Sequence, residues 1–190
     1  MNIMTHKGTT ALETERLILR KFRLSDAAAM YRNWASEDRV TEFLTWPTHP
    51  SADVSKAVIE NWVNSYEKPY YYQWGIELKE TGEVIGSIAV VSITENTRAA
   101  DIGYCLGTKW WGQGLMPEAA KAVIRYLFEE VGFERIAACH AKDNPKSGRV
   151  MQKIGMTYEG TRRMGGCCNK GIVDEIWYSV LKTEYESAKA

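Results

Sequence analysis

The sequence predicts a single domain of mixed α/β class, and three observations carry this prediction. The chain has 190 residues, of which 45% are hydrophobic and 25% charged, as expected for one ordinary globular domain. Segments with strand-like alternation of apolar residues are interleaved with segments of helical periodicity. No internal repeat, low-complexity tract or linker divides the chain, so one mixed sheet flanked by helices is the simplest arrangement.

Four elements are predicted before residue 66. Residues 15–22 alternate as a strand does, with Leu17 and Leu19 on one side. Ser and Asp residues are preferred helix N-caps, and Pro residues interrupt helices. The predicted elements are a strand at 15–22, a helix capped by Ser25 or Asp26, a short helix at 40–44 that ends in the Trp46-Pro47 loop, and a helix that begins at Ser51.

A β-hairpin and a further strand are predicted next. Residues 70–78 alternate, Thr81-Gly82 is a turn signal, and residues 84–92 form the returning strand. Residues 101–106 form another short strand.

The remaining elements are delimited by glycine and proline. Gly residues favour helix C-termini, and Pro is tolerated in the first helical turn. The predicted elements are a glycine loop at 112–115, a helix with Pro117 in its first turn that ends at Gly132, a strand at 135–141, a helix at 145–154 that Gly155 terminates, a strand at 156–162, a loop that begins at Gly165-Gly166, and a strand at 172–181.

These elements suggest a domain at residues 15–182, between a loose N-terminal arm at 1–14 and a C-terminal tail at 183–190.

The 24 basic and 24 acidic residues balance, which gives no electrostatic reason to expect nucleic acid or an anionic membrane as a partner. No apolar run is long enough to span a membrane, and the N-terminus lacks the apolar core of a secretory signal. We therefore expect four reduced cysteines in a cytoplasmic protein that is a monomer or a homodimer.

The glycine loop is the first segment that suggests chemistry. It comprises Trp111-Gly112-Gln113-Gly114-Leu115-Met116 and lies between a strand and a helix. The first N–H groups of a helix have no intrahelical partner, and with the helix dipole they form an anion site. The loop lacks the features of a nucleotide-triphosphate loop or a dinucleotide fingerprint. A simple tight turn is the alternative interpretation.

The second such segment is Asp143-Asn144-Pro145-Lys146-Ser147, followed by Lys153-Ile154-Gly155-Met156. Asn144 is placed to cap the following helix, with Ser147 at its third position. The alternative interpretation, on physical grounds alone, is that the segment only caps the helix at its start and ends it at Gly155.

Together these segments resemble the GNAT acetyltransferase superfamily, and most closely its branch that acetylates the N-termini of ribosomal proteins. That branch opens with Glu-Thr-Glu-Arg-Leu-Ile-Leu-Arg, as residues 13–20 do here. It continues with a Gly-Tyr strand, an aromatic-Gly-x-Gly loop followed by Glu-Ala, and an Asn-x-x-Ser helix that ends in Lys-x-Gly-aromatic. The resemblance extends to about residue 181.

The resemblance implies a GNAT-like, mostly antiparallel sheet whose two central parallel strands, at 101–106 and 135–141, splay apart. It implies acetyl-CoA as the acyl donor, with the pantetheine arm between the splayed strands and the pyrophosphate on the glycine-loop amides. The cofactor-binding residues implied in this way are Tyr104, Cys105, Leu106, Trp111, Gly112, Gln113, Gly114, Leu115, Met116, Asn144 and Ser147.

The resemblance also implies direct attack of an amine on the thioester, so Cys105 is expected to be a wall of the site and not an acyl carrier. Asn144 is expected to order the pantetheine or a bound water, and Ser147 to hydrogen-bond the departing thiolate. The chain departs from the family at Trp111, Met116 and Met151. Met151 replaces a tyrosine that protonates the thiolate in many relatives, so Ser147 or water becomes the candidate general acid.

The general base is open. Asp101 is one candidate, Glu77 and Glu175 are others, and His140 is a weaker one. The three histidines show no metal-ligand spacing, so no metal is expected.

Three functions remain open for the acceptor side. The first is acetylation of a protein N-terminal amine. An aromatic pocket for this amine would come from Trp34, Trp46, Trp62 and the Tyr70–Tyr72 run. The alternative is that these aromatic residues belong to the hydrophobic core. The second is acetylation of a small amine such as a polyamine, an amino acid or an aminoglycoside, although residues 34–66 show no acidic cluster. The third is an acyl-CoA-binding module with little turnover.

Overall fold

A computed structural model describes residues 4–189 of the chain. Eight strands form one sheet, in the order β1-β2-β3-β4-β5-β6-β8-β7. The strands are β1 Leu12–Glu13, β2 Leu17–Arg20, β3 Gln73–Leu78, β4 Glu83–Thr94, β5 Ala99–Leu106, β6 Arg135–Ala141, β7 Thr157–Cys168 and β8 Gly171–Leu181. The α-helices are α1 Ala27–Met30, α2 Asp38–Thr41, α3 Ala52–Ser65, α4 Leu115–Tyr126, α5 Pro145–Lys153 and α6 Lys182–Ser187.

The predicted sheet with one central parallel pair is confirmed. Neighbouring strands pair antiparallel except β5 and β6, which pair parallel. Their register joins only residues 99–101 to residues 135–137. Beyond Asp101, β5 continues to pair with β4 as far as Leu106, while β6 continues with β8 as far as Ala141. The two central strands therefore diverge over their C-terminal halves and leave an opening in the sheet.

Two hydrophobic clusters hold the helices on the sheet. The larger lies under α4, whose Ala119 and Val123 are fully buried. The smaller lies under α1 and α3, where Phe22 contacts Trp62 at a ring distance of 4.9 Å. Each large aromatic ring in these clusters removes roughly 150–250 Å² from water. The two layers fix α4 and the α1–α3 region relative to the opening between β5 and β6.

The N-terminal segment differs from the expected loose arm. Among the described residues, the backbone carbonyls of Gly8 and Thr10 accept hydrogen bonds from the Tyr126 hydroxyl at 2.7 Å and Trp74 Nε1 at 2.7 Å. The Thr5 amide donates to the Val131 carbonyl at 2.9 Å. Residues 4–14 therefore supply the acceptors that the buried Trp74 and Tyr126 require. Residues 1–3 of the predicted arm lie outside the described residues.

The C-terminal tail also contains structure, because residues 182–187 form α6. Tyr185 packs on Phe128 at a ring distance of 5.2 Å, and its hydroxyl donates to Glu129 at 2.6 Å.

The loop expected at Gly165-Gly166 is wrong, since both glycines lie inside β7. A Cβ at Gly166 would lie 2.3 Å from the carboxylate of Glu175 on β8, so the glycines make room for this cross-strand neighbour. The chain turns only at residues 169–170, between the last paired residues Cys168 and Gly171.

Candidate active site

A cleft of about 940 Å³ lies where β5 and β6 diverge. Its walls are formed by residues 39–44, the end of β5, the glycine loop with the first turn of α4, one face of α5 along its whole length, and Lys170. All of the predicted cofactor residues line this cleft except Gln113. The Gln113 side chain instead donates through Nε2 to the carbonyl of Lys109 at 3.0 Å.

The glycine loop has the backbone that its sequence predicts. Gly112 and Gly114 both have φ of +78°, a left-handed conformation that glycine adopts without the steric cost of a side chain. Helix α4 begins at Leu115, so the amides of Leu115 and Met116 belong to the first turn and have no intrahelical acceptor. An anion at this end would meet free N–H groups and the positive end of the helix dipole.

Arg16 fixes this loop to the edge of the sheet. Its Nη1 donates to the Gln113 carbonyl at 3.0 Å, and its Nε donates to the Glu118 carboxylate at 2.7 Å. Glu118 lies in the first turn of α4 and also accepts a hydrogen bond from Thr14 at 2.6 Å. The 13–20 motif is therefore joined directly to the loop.

The Trp111 ring contacts two cationic side chains of the cleft. Its Nε1 donates to the Leu106 carbonyl at 2.6 Å, which fixes the ring at the end of β5. The Lys146 ammonium lies 4.3 Å from the ring centre and the Arg39 guanidinium 5.8 Å from it, within cation–π range. No local signal in the sequence marks Arg39 and Lys146 as cleft residues, because only the fold brings α2 and α5 to Trp111.

The cleft is rich in cations. Two carboxylates line it, those of Glu42 and Asp143. The cations that line it are Arg39, Lys146, Arg149, Lys153 and Lys170.

Ser147 and Asn144 are close together at the start of α5. Asn144 caps this helix, its Oδ1 accepting from the Ser147 amide at 3.4 Å. The Tyr104 hydroxyl lies 3.0 Å from the Ser147 Oγ and 3.1 Å from the Ser147 carbonyl. Burial raises the pKa of Tyr104, although its hydrogen bond to Ser147 acts in the opposite direction, so the phenol stays protonated. Met151 is buried in the core at 1% exposure.

Cys105 lines the cleft, with its Sγ 3.4 Å from the Ser87 Oγ. Burial raises the pKa of the Cys105 thiol. A thiol nucleophile reacts as the thiolate, so this environment opposes an acyl-carrier role.

Asp101 does not line the cleft. It lies at the last position of β5 that pairs with β6, opposite Ala137, where the opening begins. Burial raises the pKa of its carboxyl group, and the charges of Arg135 and Arg162 act in the opposite direction. A carboxyl group of raised pKa is a better proton acceptor. Because Asp101 lies outside the cleft lining, the proton of the attacking amine would have to reach it through water.

The other base candidates have structural partners. Glu77 accepts a hydrogen bond from Arg20 at 2.5 Å, and Arg20 also pairs with Asp26 at 2.8 Å. Glu175 accepts from Trp177 Nε1 at 3.0 Å. His140 contacts Gly148 and stacks on Tyr178 at 6.0 Å, outside the cleft lining.

Most of the aromatic residues expected on the acceptor side belong to the core. Trp34 and Tyr72 are buried, and Trp62 packs on Phe22. Tyr70 is exposed, and Trp46 packs on His49 at a ring distance of 5.2 Å. None of them lines the cleft.

Comparison with known proteins defines the class. A model of the acetyltransferase (GNAT) domain matches residues 16–157. The chain is 33% identical to an uncharacterised N-acetyltransferase, YoaA of Bacillus subtilis, over 90% of this chain and 96% of that protein. It is 30% identical to the ribosomal protein uS5-alanine N-acetyltransferase of Escherichia coli, over 78% and 79%. The protein therefore belongs to the GNAT acetyltransferase family, and it is an N-acetyltransferase of this type.

A solved structure supports the fold. The microcin C7 self-immunity acetyltransferase MccE, in complex with acetyl-CoA and AMP, superposes with a TM-score of 0.79 at 22% identity, over 88% of this chain and 93% of that one. Within residues 4–189, no helix is long and apolar enough to cross a membrane.

Proposed function

We propose that the protein transfers the acetyl group of acetyl-CoA to the α-amine of a protein or peptide N-terminus. The observation that carries the donor assignment is the cleft between β5 and β6, which ends on the glycine loop and the start of α4. The phosphates of CoA would bind the amides of residues 112–116 and the cations around Trp111. The pantetheine arm would pair with the free edge of Tyr104–Leu106.

The proposed chemistry needs no protein nucleophile. The neutral amine attacks the thioester carbonyl carbon, a C–N bond forms, and the C–S bond breaks. A backbone N–H near Leu106 polarises the carbonyl oxygen. The amine proton passes to water or to a base such as Asp101, and the departing thiolate is stabilised by Ser147 and Tyr104. Positioning of the two substrates supplies most of the rate acceleration.

Tyr104 takes the place of the general acid that Met151 cannot supply. Tyr104 lines the cleft, its hydroxyl group is hydrogen-bonded to Ser147, and the phenol remains protonated because burial raises its pKa. The Tyr104–Ser147 pair thus offers a proton donor and a hydrogen bond to sulfur. Asn144 holds the turn from which Ser147 projects.

The balance of charge in the cleft favours an α-amine as acceptor. A polycationic acceptor needs carboxylates, but Glu42 is already paired with Lys170, and Asp143 is the other carboxylate that lines the cleft. An α-amine has a pKa of about 7.7–8.0, against about 10.4 for lysine, so more of it is neutral at physiological pH and a weaker base suffices. The similarity to a uS5-alanine N-acetyltransferase supports the same choice.

Transfer of label tests the proposal. The protein is incubated with radiolabelled acetyl-CoA and ribosomal proteins whose N-termini are free, and the labelled peptides are sequenced. We expect label on N-terminal α-amines beginning with Ala or Ser. Label only on lysine side chains or on small amines would contradict the proposal.

A further inference from the structure

The tip of the β7–β8 hairpin contacts the residues that follow α2. Asn169 and Lys170 form the tip, because Cys168 pairs with Gly171. Gly171 has a φ of +97°, which allows the tight return. The partner residues Thr41 and Trp46 are 128 and 123 positions away in the chain, so the contact closes a long-range bridge.

Asn169 uses all three of its N–H hydrogens in this bridge. Its Nδ2 donates to the carbonyls of Thr41 and Trp46, each at 2.8 Å. Its backbone N donates to the carbonyl of Leu44 at 3.1 Å. We call the contact of residues 169–170 with residues 41–46 the latch.

Lys170 adds two contacts to the latch. Its ammonium pairs with Glu42 and lies 5.3 Å from the centre of the Phe43 ring. Because Asn169 and Lys170 are largely exposed, water competes for these interactions and each is individually weak. We therefore expect these contacts to hold the hairpin tip but to open locally without unfolding of the domain.

Two cavities adjoin the latch. A second cavity of about 350 Å³ is lined by Thr41, Asn169 and others. Arg39, Glu42 and Lys170 line both this cavity and the cleft of about 940 Å³. Release of the hairpin tip would therefore join the two spaces.

We propose that Asn169 is a specificity-determining residue, because the latch that it holds limits the width of the entrance by which the acceptor reaches the thioester. This inference rests on the proposed function. The donor phosphates would occupy the glycine-loop end, so the acceptor approaches the Tyr104–Leu106 region from the side of residues 40–44 and Lys170. A closed latch admits a slender chain end and excludes a bulky one.

Two variants open the latch. Asn169→Asp keeps the shape of the side chain but points carboxylate oxygens at the Thr41 and Trp46 carbonyls, and Asn169→Ala removes both side-chain bonds. Asn61→Asp, on the exposed surface of α3, makes the same chemical change elsewhere and is the control. Thermal unfolding of all four proteins verifies that each is folded.

Tryptic cleavage after Lys170 reports the latch without any reference to activity. We expect both Asn169 variants to be cleaved there at least about fivefold faster than the wild type and Asn61→Asp, because cleavage follows local opening.

Steady-state kinetics with Ala-Gly- and Ala-Trp-initiated peptides report specificity. We expect the wild type to favour the Ala-Gly peptide in kcat/KM and the Asn169 variants to lose roughly tenfold of that preference. The KM for the acceptor should change, while kcat and the KM for acetyl-CoA stay within about twofold.

Unchanged cleavage, or an unchanged ratio between the two peptides, overturns the proposal. If the wild type acetylates neither peptide, the proposed function has failed. The ratio is then measured with a slender and a bulky member of the amine class that it does acetylate, and an unchanged ratio in the variants overturns the latch in that case as well.

Discussion

The Tyr104 hydroxyl group lies 3.0 Å from the Ser147 Oγ, and this contact joins β5 to α5 inside the cleft. The two groups come from opposite sides of the opening in the sheet, so a thiolate released between the strands would lie within reach of both.

Removal of the Tyr104 hydroxyl should slow the chemical step. We expect Tyr104→Phe and Ser147→Ala to lower kcat about 10- to 100-fold, because each removes a donor that stabilises the thiolate in the transition state. Acetyl-CoA affinity, measured by calorimetry, should change little. Tyr158→Phe removes an exposed hydroxyl bonded to Thr161 and is the control. A wild-type kcat in both site variants would remove this pair from the mechanism.

A side chain at Gly114 should weaken donor binding. Gly114→Asp introduces a negative charge beside the first amides of α4 and strains a left-handed residue. We expect acetyl-CoA affinity to fall roughly tenfold or more. Gly82→Asp imposes a comparable backbone strain at the β3–β4 turn, where φ is +67°. Equal affinities for folded Gly114→Asp and Gly82→Asp would contradict the placement of the pyrophosphate.

Cys105 should form no acyl-enzyme. Its half-buried thiol lies beside Ser87 and has a raised pKa, so little thiolate is available at neutral pH. We expect Cys105→Ala to retain kcat/KM within about threefold, and intact-protein mass spectrometry to find no acetyl adduct on the wild type after exposure to acetyl-CoA. A stable acetyl group on Cys105, together with ping-pong kinetics, would establish the opposite.

Glu77 should matter for stability and not for proton transfer. It shares the buried Arg20 with Asp26; the side chains of Arg20 and Asp26 are 11% and 8% exposed. Glu77→Gln is expected to lower the free energy of unfolding by about 1–3 kcal/mol, since it weakens a charged hydrogen bond in a partly buried network. The exposed Glu67→Gln is the control. A change in the pH–rate profile with unchanged stability would restore Glu77 as a base candidate.

Where the sequence carried local signals, its predictions were close to the structure. The strand at 135–141 has the predicted bounds, because Gly132 ends the π-helical turn Leu127–Val131 that continues α4 and Asn144-Pro145 begins the next helix. The glycine loop and α4 were likewise recognisable from Gly112, Gly114 and Pro117. Each of these signals acts within a few residues of the feature it specifies.

Features that depend on distant residues could not be predicted. Gly165-Gly166 suggests a loop until Glu175 is seen to occupy the space that the glycines leave. Nothing in the 169–170 turn indicates a contact with residues 41–46. The Tyr104–Ser147 contact and the cations around Trp111 likewise arise from packing between separate elements. The candidate site was therefore predictable in its backbone and not in its side-chain pairs.

The most direct test of the central claim compares acceptors under steady-state conditions with saturating acetyl-CoA. The acceptors are an Ala- or Ser-initiated peptide, the same peptide with a blocked N-terminus and one lysine, and spermidine. We predict that the peptide with a free N-terminus has the highest kcat/KM, because the largest fraction of its amine is unprotonated at pH 7.5. Spermidine should be the poorer acceptor, because few carboxylates line the cleft. A higher kcat/KM for spermidine or for the lysine side chain would contradict an N-terminal acceptor and leave only the family assignment.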